Sequence, residues 1–123
     1  MILSIDAPVN TIKEYNFVKR CIEKQTLMSM IFYGQPGSGK TTLAICIANS
    51  LKIPYKMLNA TTSSKKDYEE AIAYAELYGH IVLIIDEIHR LNKDKQDLLL
   101  SYVENGLITL IGMTTANPFH SIL

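Results

Sequence analysis

An α/β fold with a parallel sheet is the fold class that the sequence predicts, and three observations support it. Strand-like and helix-like segments alternate along the chain, which is typical of strand–helix–strand crossovers. The run Ile81–Ile85 is apolar throughout, as in strands that are buried on both faces of a sheet. The glycine-rich segment Gly34–Gly39 joins a strand-like segment to a helix-like one. We therefore expect a parallel sheet with helices on both faces.

Apolar spacing and the residues that end each segment predict the individual elements. A first helix should begin at Asn10 or Thr11 and run to about Gln25. Pro54 ends one helical pattern, and Gly79 follows another at the place of a C-cap. The remaining predicted elements are strands at Ser29–Tyr33, Tyr55–Leu58, Ile81–Ile85 and Leu107–Ile111, with helices at about Lys40–Ser50, Asp67–Tyr78 and Asp94–Glu104.

Length, composition and charge limit the class of protein. The 123 residues, 48% hydrophobic and 20% charged, suit one domain with one core. No apolar run approaches the roughly 18 residues that cross a membrane. The N-terminus lacks the basic start of a secretory signal, and Asp6 interrupts its apolar residues. Twelve basic residues balance twelve acidic ones, so bulk charge alone would not bind nucleic acid.

The two cysteines, Cys21 and Cys46, predict a reducing compartment. Both lie in helix-like patterns and have neither metal nor redox spacing. We expect buried thiols in a protein of the cytoplasm that does not contact a membrane.

The segment after the first predicted sheet strand fits the pattern of glycine, four residues, then Gly-Lys-Thr. It consists of Gly34, Gln35, Pro36, Gly37, Ser38, Gly39, Lys40 and Thr41, and Thr42 follows. Glycines let the backbone turn tightly and bring its amides to phosphate oxygens, and the helix N-terminus adds positive potential. The Lys40 ammonium can reach the β- and γ-phosphates, and the Thr41 hydroxyl can ligate Mg²⁺. The alternative is a glycine-rich turn with an exposed lysine. The strand-to-helix context favours a nucleotide site.

The apolar strand Ile81–Ile85 ends in two carboxylates, Asp86 and Glu87. Ligands of parallel sheets gather at the carboxyl ends of the strands, so both acids should face the phosphate loop, the segment Gly34–Thr41. Asp86 is suited to hold Mg²⁺, and Glu87 could then orient or deprotonate a water. Alone, the pair would indicate only a strand end at solvent. Together with the phosphate loop it favours hydrolysis over phosphoryl transfer to a metabolite.

The motifs resemble those of AAA+ P-loop NTPases, and their combination looks like the RarA/MgsA family of the clamp-loader clade. Gly34–Thr42 resembles the Walker A motif, and Ile84–Arg90 resembles the Walker B motif. The likeness covers roughly Ile12 to Phe119. Further matching stretches are Leu58–Ser63, the continuation from Asp86 to Gln96, and Val103–Gly106 followed by Ile108–Pro118.

The resemblance implies ATP and Mg²⁺ as ligands, DNA-stimulated hydrolysis, and replication, recombination and repair work at stalled forks. It implies fork or single-stranded DNA as partner, a homo-oligomeric ring, and a possible contact with single-stranded-DNA-binding protein or the replisome. It also implies that the last predicted strand lies between the first and third. That order would bring Thr115, as the group that senses the γ-phosphate, or Asn117 as its neighbour, beside the phosphate loop.

Measured against the family, residues 1–123 resemble a partial AAA+ domain. The lid, the oligomerisation region and the family's fifth strand would follow Leu123, so we expect the phosphate-loop strand to be an open sheet edge. The arginines, Arg20 and Arg90, do not stand where the family's arginine finger does. Such a finger supplies on the order of 10³–10⁵ in rate, so we expect weak hydrolysis by this chain alone.

Three alternatives remain open from the sequence. The chain could be a non-hydrolysing nucleotide-binding subunit that joins a ring of other subunits. It could instead be a truncated remnant without a stable fold. A small-molecule kinase is a more distant alternative, because no substrate-side arginine cluster is present.

Overall fold

A computed structural model describes residues 2–4 and 29–115, so the predicted helix from Asn10 to Gln25, which contains Cys21, lies outside the described residues. A short 3₁₀ turn, Ile88–Arg90, lies within the described part. The strands are β1 (Ile2–Ser4), β2 (Met30–Tyr33), β3 (Tyr55–Asn59), β4 (Ile81–Asp86) and β5 (Ile108–Thr114), and the helices are α1 (Lys40–Ser50), α2 (Lys65–Tyr78) and α3 (Lys93–Glu104).

The five strands form one parallel sheet in the order β1-β2-β5-β4-β3. The predicted α/β class is therefore confirmed. Strand β5 lies between β2 and β4, with Tyr33 opposite Thr114 and Ile85 opposite Gly112. This order brings the segments that follow β2, β4 and β5 to the same edge of the sheet.

The prediction of an open edge at the phosphate-loop strand is wrong. Strand β1 pairs in parallel with β2 along that edge, with Ile2 opposite Ile31 and Ser4 opposite Tyr33. The strand has three residues, too few for an alternating or continuous apolar pattern to identify it from the sequence. Its backbone groups satisfy part of an edge that would otherwise stay unpaired.

The apolar run in β4 reflects burial on both sheet faces. Val82 and Ile84 pack toward α1, in a cluster with Phe32 and Ile47. The alternate residues of the strand pack in a second cluster, on the opposite face, with α2 and α3. All five residues from Ile81 to Ile85 are fully buried. Burial of apolar side chains on both faces, at roughly 25 cal/mol per Å², is the main favourable contribution to the fold.

Two of the three described helices begin with a side-chain cap, and the third does not. Helix α2 has a capping box, in which the Ser64 hydroxyl accepts from the Asp67 amide and the Asp67 carboxylate accepts from the Ser64 amide. At α3, the Asn92 side chain accepts a hydrogen bond from the Lys95 amide at 3.0 Å. Helix α1 has Gly39 at its N-cap and no side-chain cap. Only α1, among these three, has no side chain that binds one of its first amides.

The end of β5 and the exposure of Cys46 also differ from the sequence expectations. Strand β5 continues three residues past Ile111 to Thr114, because its backbone pairs with β2 throughout that stretch. The expectation of a buried thiol at Cys46 is wrong, since its side chain is exposed on α1. Among residues 2–4 and 29–115, no helix has the length and apolar character needed to cross a bilayer.

Gly112 is a point of close contact between β5 and the 3₁₀ turn. A Cβ atom built on Gly112 would lie 2.9 Å from Ile88 Cγ1 and 3.0 Å from Ile88 Cβ. The absence of a side chain therefore lets the turn lie directly on the strand.

We expect Gly112→Ala to destabilise the protein by about 1–2 kcal/mol. Displacement of Ile88 costs about 1–3 kcal/mol, partly offset by roughly 0.4–1 kcal/mol from the lower entropy of the unfolded chain. Urea unfolding measures the difference. Adding Ile88→Ala should reduce the penalty of Gly112→Ala, because the contact is then removed. A Gly112→Ala chain as stable as the parent would contradict the packing described.

Tyr68 is a fully buried residue of α2, and its hydroxyl has no hydrogen-bond partner among the described residues. Burial, with a smaller contribution from the Asp67 carboxylate, raises the pKa of Tyr68 above 10.0. Above pH 10 the unfolded chain releases this proton while the folded chain retains it, so the stability that Tyr68 contributes falls as pH rises.

We expect Tyr68→Phe to be at least as stable as the parent at pH 7, because it removes a buried hydroxyl without a partner. Between pH 9 and 11 the parent should lose stability relative to Tyr68→Phe, as measured by urea unfolding at each pH. Tyr102→Phe, at a half-buried tyrosine, is the matched control. A constant difference between parent and Tyr68→Phe across this range would contradict the assignment.

Candidate functional site

The carboxyl ends of β2, β4 and β5 surround a cavity of about 470 Å³. Its walls combine backbone of the phosphate loop with carboxylate and hydroxyl side chains. The lining residues are Pro36, Gly37, Ser38, Gly39, Lys40, Thr41, Thr42, Asp86, Glu87 and Thr115.

The phosphate loop presents backbone amides to this cavity. Gly37 and Gly39 have φ values of 80° and 94°, a region that residues with a side chain rarely adopt. These two positions turn the chain into α1 at Lys40. The first amides of α1 have no partner within the helix and no side-chain cap. With the positive end of the helix dipole, they form a site suited to a phosphate group.

Lys40 lies at the base of the loop and is only 8% exposed. Its ammonium donates hydrogen bonds to the carbonyl oxygens of Gly34 and Gln35, the latter at 2.9 Å, and approaches Ser38 Oγ at 3.4 Å. Gly34 and Gln35, predicted to bind the nucleotide, do not line the cavity. They instead hold the Lys40 ammonium, which can exchange these carbonyls for phosphate oxygens.

Thr41 and Asp86, the predicted Mg²⁺ ligands, line the same cavity. The Thr41 hydroxyl donates to Met113 Sδ at 3.6 Å, and one Asp86 oxygen accepts from the Glu87 amide at 2.9 Å. Within the described part of the chain, no three His, Cys, Asp or Glu side chains cluster to form a complete metal site. One hydroxyl and one carboxylate fit Mg²⁺, which takes few protein ligands and fills its shell with phosphate oxygens and water.

Glu87 has a left-handed backbone, with φ 53° and ψ 45°, at the end of β4. Such a conformation costs roughly 1–2 kcal/mol for a residue with a side chain, so the surrounding contacts must maintain it. The Glu87 carbonyl accepts from the Arg90 amide at 2.8 Å, which begins the 3₁₀ turn. The turn therefore fixes where the Glu87 carboxylate enters the cavity.

Thr61 contacts Glu87, and the sequence alone did not predict this contact. The Thr61 hydroxyl donates to Glu87 Oε2 from the loop after β3. The register of β3 and β4, with Asn59 opposite Asp86, brings the two residues together. The hydroxyls of Thr61 and Thr62 after β3 indicated a polar strand end. The sequence did not show that β3 pairs with β4, and so did not show that Thr61 lies beside Glu87.

Thr115 lies at the cavity wall beside the loop, as the implied strand order requires, while Asn117 lies outside the described residues. The preceding residue, Thr114, is only 1% exposed. Its carbonyl accepts from the Gly34 amide at 3.1 Å, which ties the end of β5 to the start of the phosphate loop.

Three curated relatives of this chain show the similarity, and two of them have the same name. The chain is 50% identical over 111 residues to replication-associated recombination protein A of Bacillus subtilis, covering 90% of this chain. It is 45% identical over 103 residues to the protein of the same name in Escherichia coli K12, covering 80%. It is also 45% identical over 105 residues to ATPase WRNIP1 of Dictyostelium discoideum, covering 82%. The RarA resemblance is confirmed.

The chain spans only part of these relatives, namely 26%, 23% and 12% of their respective lengths. Among solved structures, it is similar to the Thermotoga maritima RuvB Holliday junction branch migration motor, with a TM-score of 0.70 and 28% identity. That match covers 93% of this chain and 42% of the RuvB chain. An A156S mutant of the same motor matches with a TM-score of 0.70 and 30% identity, covering 90% and 40%.

The family model of the Holliday junction DNA helicase RuvB P-loop domain matches residues 15–120. This range includes the phosphate loop, the acidic pair and the end of β5, which together surround the cavity. The chain belongs to the RuvB P-loop domain family.

Proposed function

We propose that this chain is the nucleotide-binding part of a Mg²⁺-dependent ATPase that works in DNA recombination and repair. The observation that carries the proposal is the uncapped N-terminus of α1, which opens into the same cavity as Asp86 and Glu87. An anion site beside two carboxylates would be repulsive unless a cation lay between them. A nucleotide phosphate with Mg²⁺ satisfies both charges.

Each cavity residue has a distinct proposed role. The α1 amides and Lys40 bind the phosphates, and Thr41 with Asp86 would hold Mg²⁺, which neutralises charge on the phosphate oxygens. Glu87 orients the attacking water and accepts its proton, using the carboxylate oxygen that does not contact Thr61. Thr115, at the wall, contacts the γ-phosphate. Asn117 remains a second candidate for that contact.

The biological setting is proposed from the relatives. Their names associate similar chains with replication-associated recombination and with Holliday junctions. We propose fork or single-stranded DNA as partner, action at stalled forks, assembly into a homo-oligomeric ring as in the clamp-loader clade, and a cytoplasmic location. Single-stranded-DNA-binding protein and the replisome are further proposed partners.

A slow rate of hydrolysis is expected for this chain alone. Arg90 is exposed in the 3₁₀ turn and does not line the cavity, so it does not serve the phosphates there. An arginine from a neighbouring subunit would supply charge that the described residues lack.

The second candidate function is a non-hydrolysing nucleotide-binding subunit. The bond between Thr61 and Glu87 favours it, because this bond occupies one oxygen of the proposed base.

Lys40→Ala should weaken Mg-ATP binding about tenfold to a hundredfold. A charge-assisted hydrogen bond contributes roughly 1.5–3 kcal/mol, and each 1.4 kcal/mol is a factor of ten in affinity. Calorimetric titration of the purified chain measures the change. Lys66→Ala, at an exposed lysine of α2 away from the cavity, is the matched control and should bind as the parent does. Equal affinity in Lys40→Ala and the parent would contradict the proposed site.

Glu87→Gln should bind Mg-ATP like the parent and hydrolyse it roughly 10²–10⁴ times more slowly, because the amide cannot accept the proton of water. Single-turnover hydrolysis with excess protein measures the rate. Glu76→Gln, on the exposed face of α2, is the control and should leave hydrolysis unchanged. Binding without hydrolysis in the parent, unaffected by Glu87→Gln, would favour the non-hydrolysing candidate.

A further inference from the structure

Two hydrogen bonds between histidine and threonine bracket β4 and β5. His80 Nε2 lies 2.8 Å from Thr109 Oγ1 near the amino ends of the two strands. His89 Nδ1 lies 2.7 Å from Thr114 Oγ1 at their carboxyl ends, beside the cavity. Both bonds join a histidine to a threonine, but they lie at opposite ends of the two strands.

The Thr114 partner of His89 is already tied to the phosphate loop. Its carbonyl accepts from the Gly34 amide at 3.1 Å, and its backbone pairs with Tyr33 at the end of β2. The threonine is 1% exposed, so its hydroxyl lies in an environment where losing a hydrogen bond is costly. A group that binds this hydroxyl is therefore held at a fixed position relative to the loop.

His89 lies two residues after Glu87 within the 3₁₀ turn. The left-handed backbone of Glu87 persists only if the turn is held against its neighbours. Ile88 contributes by packing on Gly112, and His89 contributes by its bond to Thr114. The Ile88 contact holds the turn against the middle of β5. The His89 bond holds it at the strand end from which the phosphate loop is fixed.

We propose that His89 is a positioning residue for hydrolysis: its hydrogen bond to Thr114 keeps the Glu87 turn at a fixed distance from the phosphate loop. The inference rests on the proposed function and adds a residue to it. His89 is not among the residues that line the cavity. Its effect reaches the reaction through Glu87.

The proposal separates binding from hydrolysis. Lys40 binds the carbonyls of Gly34 and Gln35, and His89 binds Thr114, so phosphate affinity should not depend on His89. The position of the Glu87 carboxylate does depend on it, and proton transfer is sensitive to small displacements. Loss of the bond should therefore lower the hydrolysis rate and leave Mg-ATP affinity within about twofold of the parent.

The test compares four versions of the chain: the parent, His89→Leu, His89→Asn and His80→Leu. His89→Leu removes the bond, and His89→Asn restores a polar atom near the position of Nδ1. His80→Leu removes the equivalent bond at the opposite end of the sheet, far from Glu87. It therefore shows the effect of losing such a bond on stability alone. Each chain is measured for Mg-ATP affinity by calorimetry, for hydrolysis under single-turnover conditions, and for thermal unfolding.

We expect His89→Leu to hydrolyse roughly tenfold or more slowly than the parent, since general-base catalysis contributes 10²–10⁴ and is only partly lost. His89→Asn should recover most of the rate. His80→Leu should lower the unfolding temperature without changing hydrolysis. If His89→Leu does not fold, Thr114→Val and Thr114→Ser give the same comparison, with the rate lost in the former and retained in the latter.

Parental hydrolysis by His89→Leu would overturn the inference, as would an equal loss of rate in His89→Leu and His80→Leu. Mg-ATP binding by the parent without any hydrolysis would also overturn it, because the turn would then not hold Glu87 productively. Absence of Mg-ATP binding by the parent would instead overturn the proposed function itself.

Discussion

The pairing of β5 between β2 and β4 is the constraint on which the rest of the site depends. Residues that are far apart in the chain meet only because this strand aligns the ends of its two neighbours. Its last residue accepts a hydrogen bond from Gly34, and Gly112 leaves the space that the Ile88 side chain occupies. The same strand therefore fixes the start of the phosphate loop on one side and the turn after the acidic pair on the other. Burial of β4 on both faces keeps this arrangement rigid.

The charged side chains of the cavity form hydrogen bonds with neighbouring protein groups. The Lys40 ammonium contacts loop carbonyls, the Asp86 carboxylate accepts from a backbone amide, and the Glu87 carboxylate accepts from Thr61. These bonds are local and can be exchanged when a phosphate and a cation enter. The amides at the start of α1 are different, because no side chain caps them. This difference between α1 and the two capped helices is the structural basis for the proposed phosphate site.

The sequence predicted correctly those elements that show a local motif or a long apolar run. The burial of β4 follows from its uninterrupted apolar run, and the start of α1 follows from the glycines around it. Features that depend on pairing between distant segments could not be predicted from local patterns. Strand β1 has too few residues to show a pattern. Strand β5 extends to Thr114 because its backbone pairs with β2 up to that residue. The contact of Thr61 with Glu87 depends on the register of β3 and β4. Cys46 is exposed because α1 covers the sheet with another of its faces.

The most direct test of this account is a crystal structure of the chain with a non-hydrolysable ATP analogue and Mn²⁺, whose anomalous scattering locates the metal ion. The account predicts the phosphates against the first amides of α1 and the metal between Thr41 Oγ1 and the Asp86 carboxylate. It also predicts that the Lys40 ammonium leaves the carbonyls of Gly34 and Gln35 for phosphate oxygens. Phosphates bound away from α1, or a metal ion that contacts neither Thr41 nor Asp86, would contradict it.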